Sequence, residues 1–246
     1  MNIIIALLIS LIASFSTCIG ALFIFLNIKK ENINKFIAFS LSFSIAIMIG
    51  VSIFDLLPDS MIYLIKSYGI YSLFIFLLLF LISFYLIKYL NKCLEKYENN
   101  LYKLGLLSMI ILIMHNLPEG IITFISSYKD VHLGIKMALA IALHNLPEGI
   151  CIAVPIYYST HSKKSAFFKT FISGFSEFIG AVLAYLFLAK YVNDIALSLI
   201  LVMVAFLMIT LSIEQMFPQA NKYNEKKYLL LGLIIGFIII IGSVII

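Results

Sequence analysis

Residues 103–126 read KLGLLSMIILIMHNLPEGIITFIS, and residues 133–157 read LGIKMALAIALHNLPEGICIAVPIY. Each is a hydrophobic run long enough to cross a hydrocarbon core roughly 30 Å thick. Each carries the same hexapeptide, His-Asn-Leu-Pro-Glu-Gly, at 115–120 and again at 144–149. A carboxylate at mid-membrane costs at least about 2.5 kcal/mol on insertion scales unless it finds a partner. Two such hexapeptides in neighbouring spans therefore decide the fold class and point to the chemistry together.

The rest of the chain is of the same kind. Of its 246 residues 63% are hydrophobic and 12% are charged, against about half and a quarter in a soluble domain. A soluble fold of this composition would expose apolar patches large enough to aggregate, so the lipid bilayer is the solvent. The net charge of +5 comes from 17 basic residues, all Lys, which cluster between the hydrophobic runs. There is no basic stripe on a helix face and no nucleic-acid fold signature, so no nucleic-acid partner is expected. Cys18, Cys93 and Cys151 show no CxxC spacing, which argues against a disulfide framework or a Cys-type zinc site. The stretch from Met1 to Leu26 lacks a basic start and is apolar for too long to be a signal peptide, so it reads as a retained span.

Charged and polar clusters divide the chain into eight helices, at about 2–27, 34–55, 69–90, 103–126, 133–157, 165–190, 195–215 and 228–246. The expected fold is an all-α membrane protein forming a single transmembrane domain over 1–246. Odd-numbered loops hold thirteen Lys: 29, 30, 35, 88, 92, 96, 103, 163, 164, 169, 222, 226 and 227. Even-numbered loops hold four, Lys66, Lys129, Lys136 and Lys190. The positive-inside rule then puts the odd loops in the cytoplasm and both termini outside the cell membrane.

Two repeats order these spans. Neighbouring spans run in opposite directions, so the two hexapeptides face each other inverted. A weaker repeat relates Ser16-Thr17-Cys18-Ile19-Gly20-Ala21 to Ser176-Glu177-Phe178-Ile179-Gly180-Ala181, and, at nearly the same interval, Asp55 to Glu214. The layout is a 3 + 2 + 3 inverted-repeat bundle with the hexapeptide helices as the central pair. Inverted repeats with broken helices at the midplane mark secondary transporters.

Within each hexapeptide the imidazole and the carboxylate are four positions apart, and the amide and the carboxylate three, so all share one helix face. His115, Asn116 and Glu119 make one face; His144, Asn145 and Glu148 make the other. Mixed N and O ligands suit Zn²⁺ and other first-row divalent ions better than Ca²⁺ or Mg²⁺. Pro118 and Pro147 cannot donate to the carbonyls one turn back, freeing acceptors beside the ligands, and Gly120 and Gly149 allow close helix approach. Glu177 adds a third intramembrane carboxylate in the sixth helix. No Lys lies in the interior of these spans to balance the three, so a divalent ion is their expected partner; one or two ions are compatible with the charge. One such motif alone also fits a histidine hydrogen-bonded to its neighbour, and the duplication favours metal.

Other polar residues are weaker candidates. His132 and His161 read as surface residues in loops. Asp55, Asp59 and Glu214 lie near helix ends and suit solvated caps or gates equally well. Met48, Met109, Met114, Met203 and Met208 are expected to pack in the bundle.

The paired HNLPEG motifs resemble the signature of the ZIP (Zrt/Irt-like) metal transporters, and Ala153-Val154-Pro155 and Ser173-Gly174-Phe175-Ser176-Glu177 are similar to bacterial members of that family. The resemblance implies eight helices, 3 + 2 + 3 topology, external termini and a homodimer. It also implies a binuclear site: His115, Asn116, Glu119, Asn145 and Glu148 around one ion, His144, Glu148 and Glu177 around its neighbour, with Glu119 and Glu148 bridging. Zinc would move toward the cytoplasm as the site is exposed alternately to each side. Histidine in both motifs resembles the broad-specificity branch, so Fe²⁺, Mn²⁺, Co²⁺ and Cd²⁺ are further possible substrates. The short loop at 91–102 has no His, so a metal-sensing loop is not expected, and Gln219 stands where an acid is common, which weakens a cytoplasmic-side site. The alternatives are a membrane-embedded metalloenzyme, whose usual His and Glu spacings are absent, and a metal-gated channel.

Overall fold

The computed structural model describes residues 3–188 and 193–245, and all regular structure among them is helical. In chain order the helices are α1 (Ile3–Ala21), α2 (Ile33–Val51), α3 (Leu57–Tyr68), α4 (Ser72–Cys93), α5 (Asn100–Lys129), α6 (Val131–Thr160), α7 (Lys163–Leu183), α8 (Asp194–Leu211), α9 (Phe217–Asn221) and α10 (Lys226–Ile245). Lys190 and the helix ends expected at 2, 190 and 246 lie outside the described residues.

The two hexapeptides lie on α5 and α6, the longest of these helices. Only Asp130 separates the two. Its carboxylate accepts from the backbone N–H groups of His132 and Leu133 at 2.8 and 3.3 Å, capping α6. His161 closes α6 in a left-handed conformation. Both histidines outside the motifs therefore sit at helix ends. Pro118 and Pro147 lie inside these helices, which run on through them.

The stretch expected to be a loop at 56–68 is largely helical. A π-helical turn at Ser52–Leu56 carries α2 into α3, and a second at Ser212–Met216 carries α8 into α9. Pro58 and Pro218 stand in the first turn of the helix that follows. Proline lacks the N–H of one backbone hydrogen bond. The wider π turn just before it absorbs the lost register, so the chain continues where the sequence suggested a stop. The two turns and the two prolines recur at one common interval along the chain. At that interval Asp55 corresponds to Gln215 and not to Glu214.

The described residues form two compact units: 3–27 and 108–188 in one, 28–107 and 193–245 in the other. In the first, α1 packs on α6 and α7, and α6 on α7. Glycines set the closest approaches. A Cβ on Gly20 would strike the Leu146 carbonyl, and one on Gly149 the Thr17 carbonyl, so α1 and α6 touch through backbone. A Cβ on Gly180 would strike the Leu117 carbonyl, and one on Gly120 the Glu177 carbonyl, so α5 and α7 touch the same way. Without a hydrophobic driving force between helices in lipid, such close van der Waals contact is what holds them.

In the second unit α2 packs on α10, and α3 and α4 on α8. Leu64, Phe76 and Val202 form a buried core there. Ser83 donates across to the Met203 carbonyl at 3.0 Å. Leu73, Phe74, Leu77, Leu78 and Leu81 of α4 are exposed, a face that only lipid would solvate. Among the described residues six helical segments are long and apolar enough to cross a membrane. One of them, Lys30–Cys93, has 64 residues, about three times what one crossing needs. The protein is a multi-pass helical membrane protein.

Candidate metal centre

The motif spacing does locally what the helix period dictates: positions three and four apart on α5 and on α6 share a face. All seven residues singled out in the sequence are buried, His144 being the most accessible at 5%. His115 Nε2 lies 3.1 Å from Glu119 Oε1 along α5 and 3.3 Å from Glu148 Oε1 on α6. His144 Nε2 lies 3.0 Å from the same Glu119 oxygen. One carboxylate oxygen thus stands between two imidazoles whose ring centres are 6.3 Å apart. On the other side, Asn145 donates its amide to Glu177 Oε2 at 2.8 Å, linking α6 to α7. Asn116 donates to the Ser173 carbonyl at 2.9 Å, linking α5 to α7.

The residues therefore fall into two neighbouring groups. His115, Glu119 and His144 offer ligand atoms that all lie within 4.8 Å of one another, and Glu148 touches this group through His115. Asn145 and Glu177 form the other. The resemblance implies His144 beside Glu148 and Glu177, with Glu119 bridging; in the structure His144 reaches Glu119.

The donor set fits a cation. A tetrahedral Zn²⁺ with bonds of about 2.0–2.1 Å holds its ligands roughly 3.3 Å apart. The contacts of 3.0, 3.1 and 3.3 Å already approximate such edges. Asn116 Oδ1, Glu119 Oε2, Asn145 Oδ1, Glu148 Oε2 and Glu177 Oε1 are buried acceptors without a donor. Buried oxygens left in that state are destabilising by about 1–3 kcal/mol each, and an ion would satisfy them together.

The weaker acidic candidates, Asp55, Asp59 and Glu214, belong to the second unit. Asp59 is exposed in the first turn of α3. Glu214 and Gln219 line a polar cavity of about 190 Å³ with Lys103, Lys222 and Asn91. Two ammonium groups against one carboxylate make that cavity a poor cation site. Sequence reasoning missed Ser173 as a partner of Asn116, since a main-chain acceptor leaves no mark in residue type.

A multi-pass helical membrane protein with a buried cluster of His, Glu and Asn on adjacent helices defines the class: one that carries a candidate divalent-metal centre. Comparison with known proteins supplies the family. Residues 100–243 match the family model described as ZIP Zinc transporter. The chain is 34% identical over 96% of its length to the zinc transporter ZupT of Oceanobacillus iheyensis, covering 95% of that protein. It is 33% identical to ZupT of Clostridium perfringens, with 98% of this chain and 95% of the relative aligned. Against ZupT of an Escherichia coli strain it is 31% identical over 94% of this chain and 92% of the relative. The chain belongs to the ZIP family. Its relatives are transporters and not enzymes, so the embedded-metalloenzyme alternative is set aside.

Proposed function

We propose that the chain imports Zn²⁺ into the cytoplasm by alternating access, through a binuclear centre made by His115, Asn116, Glu119, His144, Asn145, Glu148 and Glu177. The observation that carries this reading is the set of five buried acceptor oxygens with no donor, beside two imidazoles that share one carboxylate oxygen. One ion would sit among His115, Glu119, His144 and Glu148. The second would lie toward Asn145 and Glu177, with Glu119 and Glu148 between them. Two ions bring +4 against the three carboxylates, so neither is held so tightly that it could not be released. Fe²⁺, Mn²⁺, Co²⁺ and Cd²⁺ share these ligand preferences and would compete.

The architecture we propose is a single transmembrane domain over residues 1–246 with eight crossings in a 3 + 2 + 3 inverted arrangement. The matched glycine contacts of α1 with α6 and of α7 with α5 favour it, as do the π turns that recur with their prolines. Both termini would face outward, from the Lys distribution, and the protein would work as a homodimer, as the family resemblance implies.

Purified protein in liposomes loaded with a zinc-sensitive dye tests the function. Wild type should admit Zn²⁺ well above the rate of Glu148→Ala. Equal rates would sink the proposal.

A further inference from the structure

The seven residues of the centre come from α5, α6 and α7. Helix α1 packs on α6 and α7 too, yet brings no charged group. The glycine contacts define its register. Gly20 of α1 meets the Leu146 carbonyl of α6 as Gly180 of α7 meets the Leu117 carbonyl of α5. Gly149 meets the Thr17 carbonyl as Gly120 meets the Glu177 carbonyl. One exchange relates all four contacts: α1 for α7 in the register that pairs Gly20 with Gly180, and α6 for α5 in the register that pairs Gly149 with Gly120. The same exchange carries Glu177 to Thr17. It carries Asn145, the donor to Glu177, to Asn116, whose Oδ1 is buried without a donor.

Thr17 itself has the environment of a ligand position. It is fully buried, and its Oγ1 has no hydrogen-bond partner among the described residues. This is unlike its neighbours: Ser10, Ser14 and Ser16 each donate to a carbonyl of α1. A helical Thr ordinarily bonds the carbonyl three or four positions back, and one of those two, that of Ala13, is taken by Ser16. Across from Thr17 stands Gly174, where an added Cβ would lie 2.8 Å from Thr17 Cβ and 3.1 Å from its Oγ1. Gly174 follows Ser173, whose carbonyl holds Asn116.

We propose that Thr17 is a further metal-ligand position: a neutral-oxygen counterpart of Glu177, supplied by α1 beside Asn116. This rests on the reading of the seven residues as an ion-binding centre. A hydroxyl here adds a donor while keeping the carboxylates at three, so the ion gains a ligand without gaining charge that would oppose its release. It is also a hard oxygen, which favours Zn²⁺ over the softer Cd²⁺.

The test is equilibrium binding of Zn²⁺ and Cd²⁺ to purified wild type, Thr17→Val and Thr17→Ser, read separately from flux. Thr17→Val keeps the shape and removes the hydroxyl. It should weaken Zn²⁺ binding about three- to tenfold and shift the Cd²⁺/Zn²⁺ preference toward Cd²⁺. Thr17→Ser should stay near wild type. If Thr17→Val is not recovered as monodisperse protein, Thr17→Ala carries the same expectation without adding bulk. Unchanged affinity and preference in the variant lacking the hydroxyl overturns the assignment. So does a serine variant as impaired as the valine one, which would point to methyl packing. A wild type that binds Zn²⁺ but carries it no faster than Glu148→Ala removes the transport reading and leaves the role of Thr17 to be decided by binding.

Discussion

At the residue scale the centre turns on Glu119. One of its oxygens sits 3.0 and 3.1 Å from two imidazoles on different helices, while the other has no donor. Glu177, by contrast, is already held through Asn145. Loss of a group that merely orients a ligand costs metal sites about 10- to 100-fold in affinity, so loss of a direct ligand should cost at least as much. Glu119 would lie between both ions whereas Glu177 would reach only the second, so Glu119→Gln should lower Zn²⁺ affinity by about tenfold more than Glu177→Gln, measured by equilibrium dialysis. Equal losses would mean that Glu119 does not bridge the two ions. The helical period made the three-ligand face of each motif legible in advance, because spacing along one helix is a local property. The pairing of His144 with Glu119 was not legible, since it depends on how two helices rotate about each other.

At the element scale glycine decides how near the helices of the first unit come. Gly180 lies against the Leu117 carbonyl with no room for a methyl group, whereas Gly242 on α10 has open space around it. A methyl forced against backbone costs about 1–3 kcal/mol. Gly180→Ala should accordingly lower the thermal midpoint of the detergent-solubilised protein by several degrees, while Gly242→Ala should leave it unchanged or raise it through better helix propensity. A Gly180→Ala midpoint equal to wild type would show that α5 and α7 can part without penalty. The prolines are the instructive elements of the second unit. The sequence reading ended the second helix at about 55 and placed a loop over 56–68, which includes Pro58. The π turn at Ser52–Leu56 lets the chain pass this proline and continue as α3. No residue type announces such a turn, because it is a redistribution of backbone hydrogen bonds.

At the scale of the whole molecule the lysines and the native cysteines allow the proposed orientation to be checked. Cys93 is exposed while Cys18 and Cys151 are buried, and Cys93 lies in a Lys-rich connection. Cys93 should react with a membrane-impermeant thiol reagent only after the cells are permeabilised. A cysteine at the exposed Lys129, introduced as Lys129→Cys with Cys93→Ser, should react in intact cells. The reverse pattern would invert the topology. Composition and hydropathy alone determined that the protein lives in a bilayer and is helical, because lipid leaves the backbone of such long apolar runs no other way to satisfy its hydrogen bonds within a span. The duplicated hexapeptide alone determined which two helices carry most of the candidate metal ligands. Only the tertiary structure decided that one Glu119 oxygen serves two histidines, that glycines bring four helices to backbone contact, and that the Thr17 hydroxyl is buried without a partner. Those facts arise from the packing of helices distant in the chain, and the close-packed interior admits them only once every neighbouring side chain is in place. The hexapeptides thus name the chemistry, and the contacts of α1, α5, α6 and α7 assemble it.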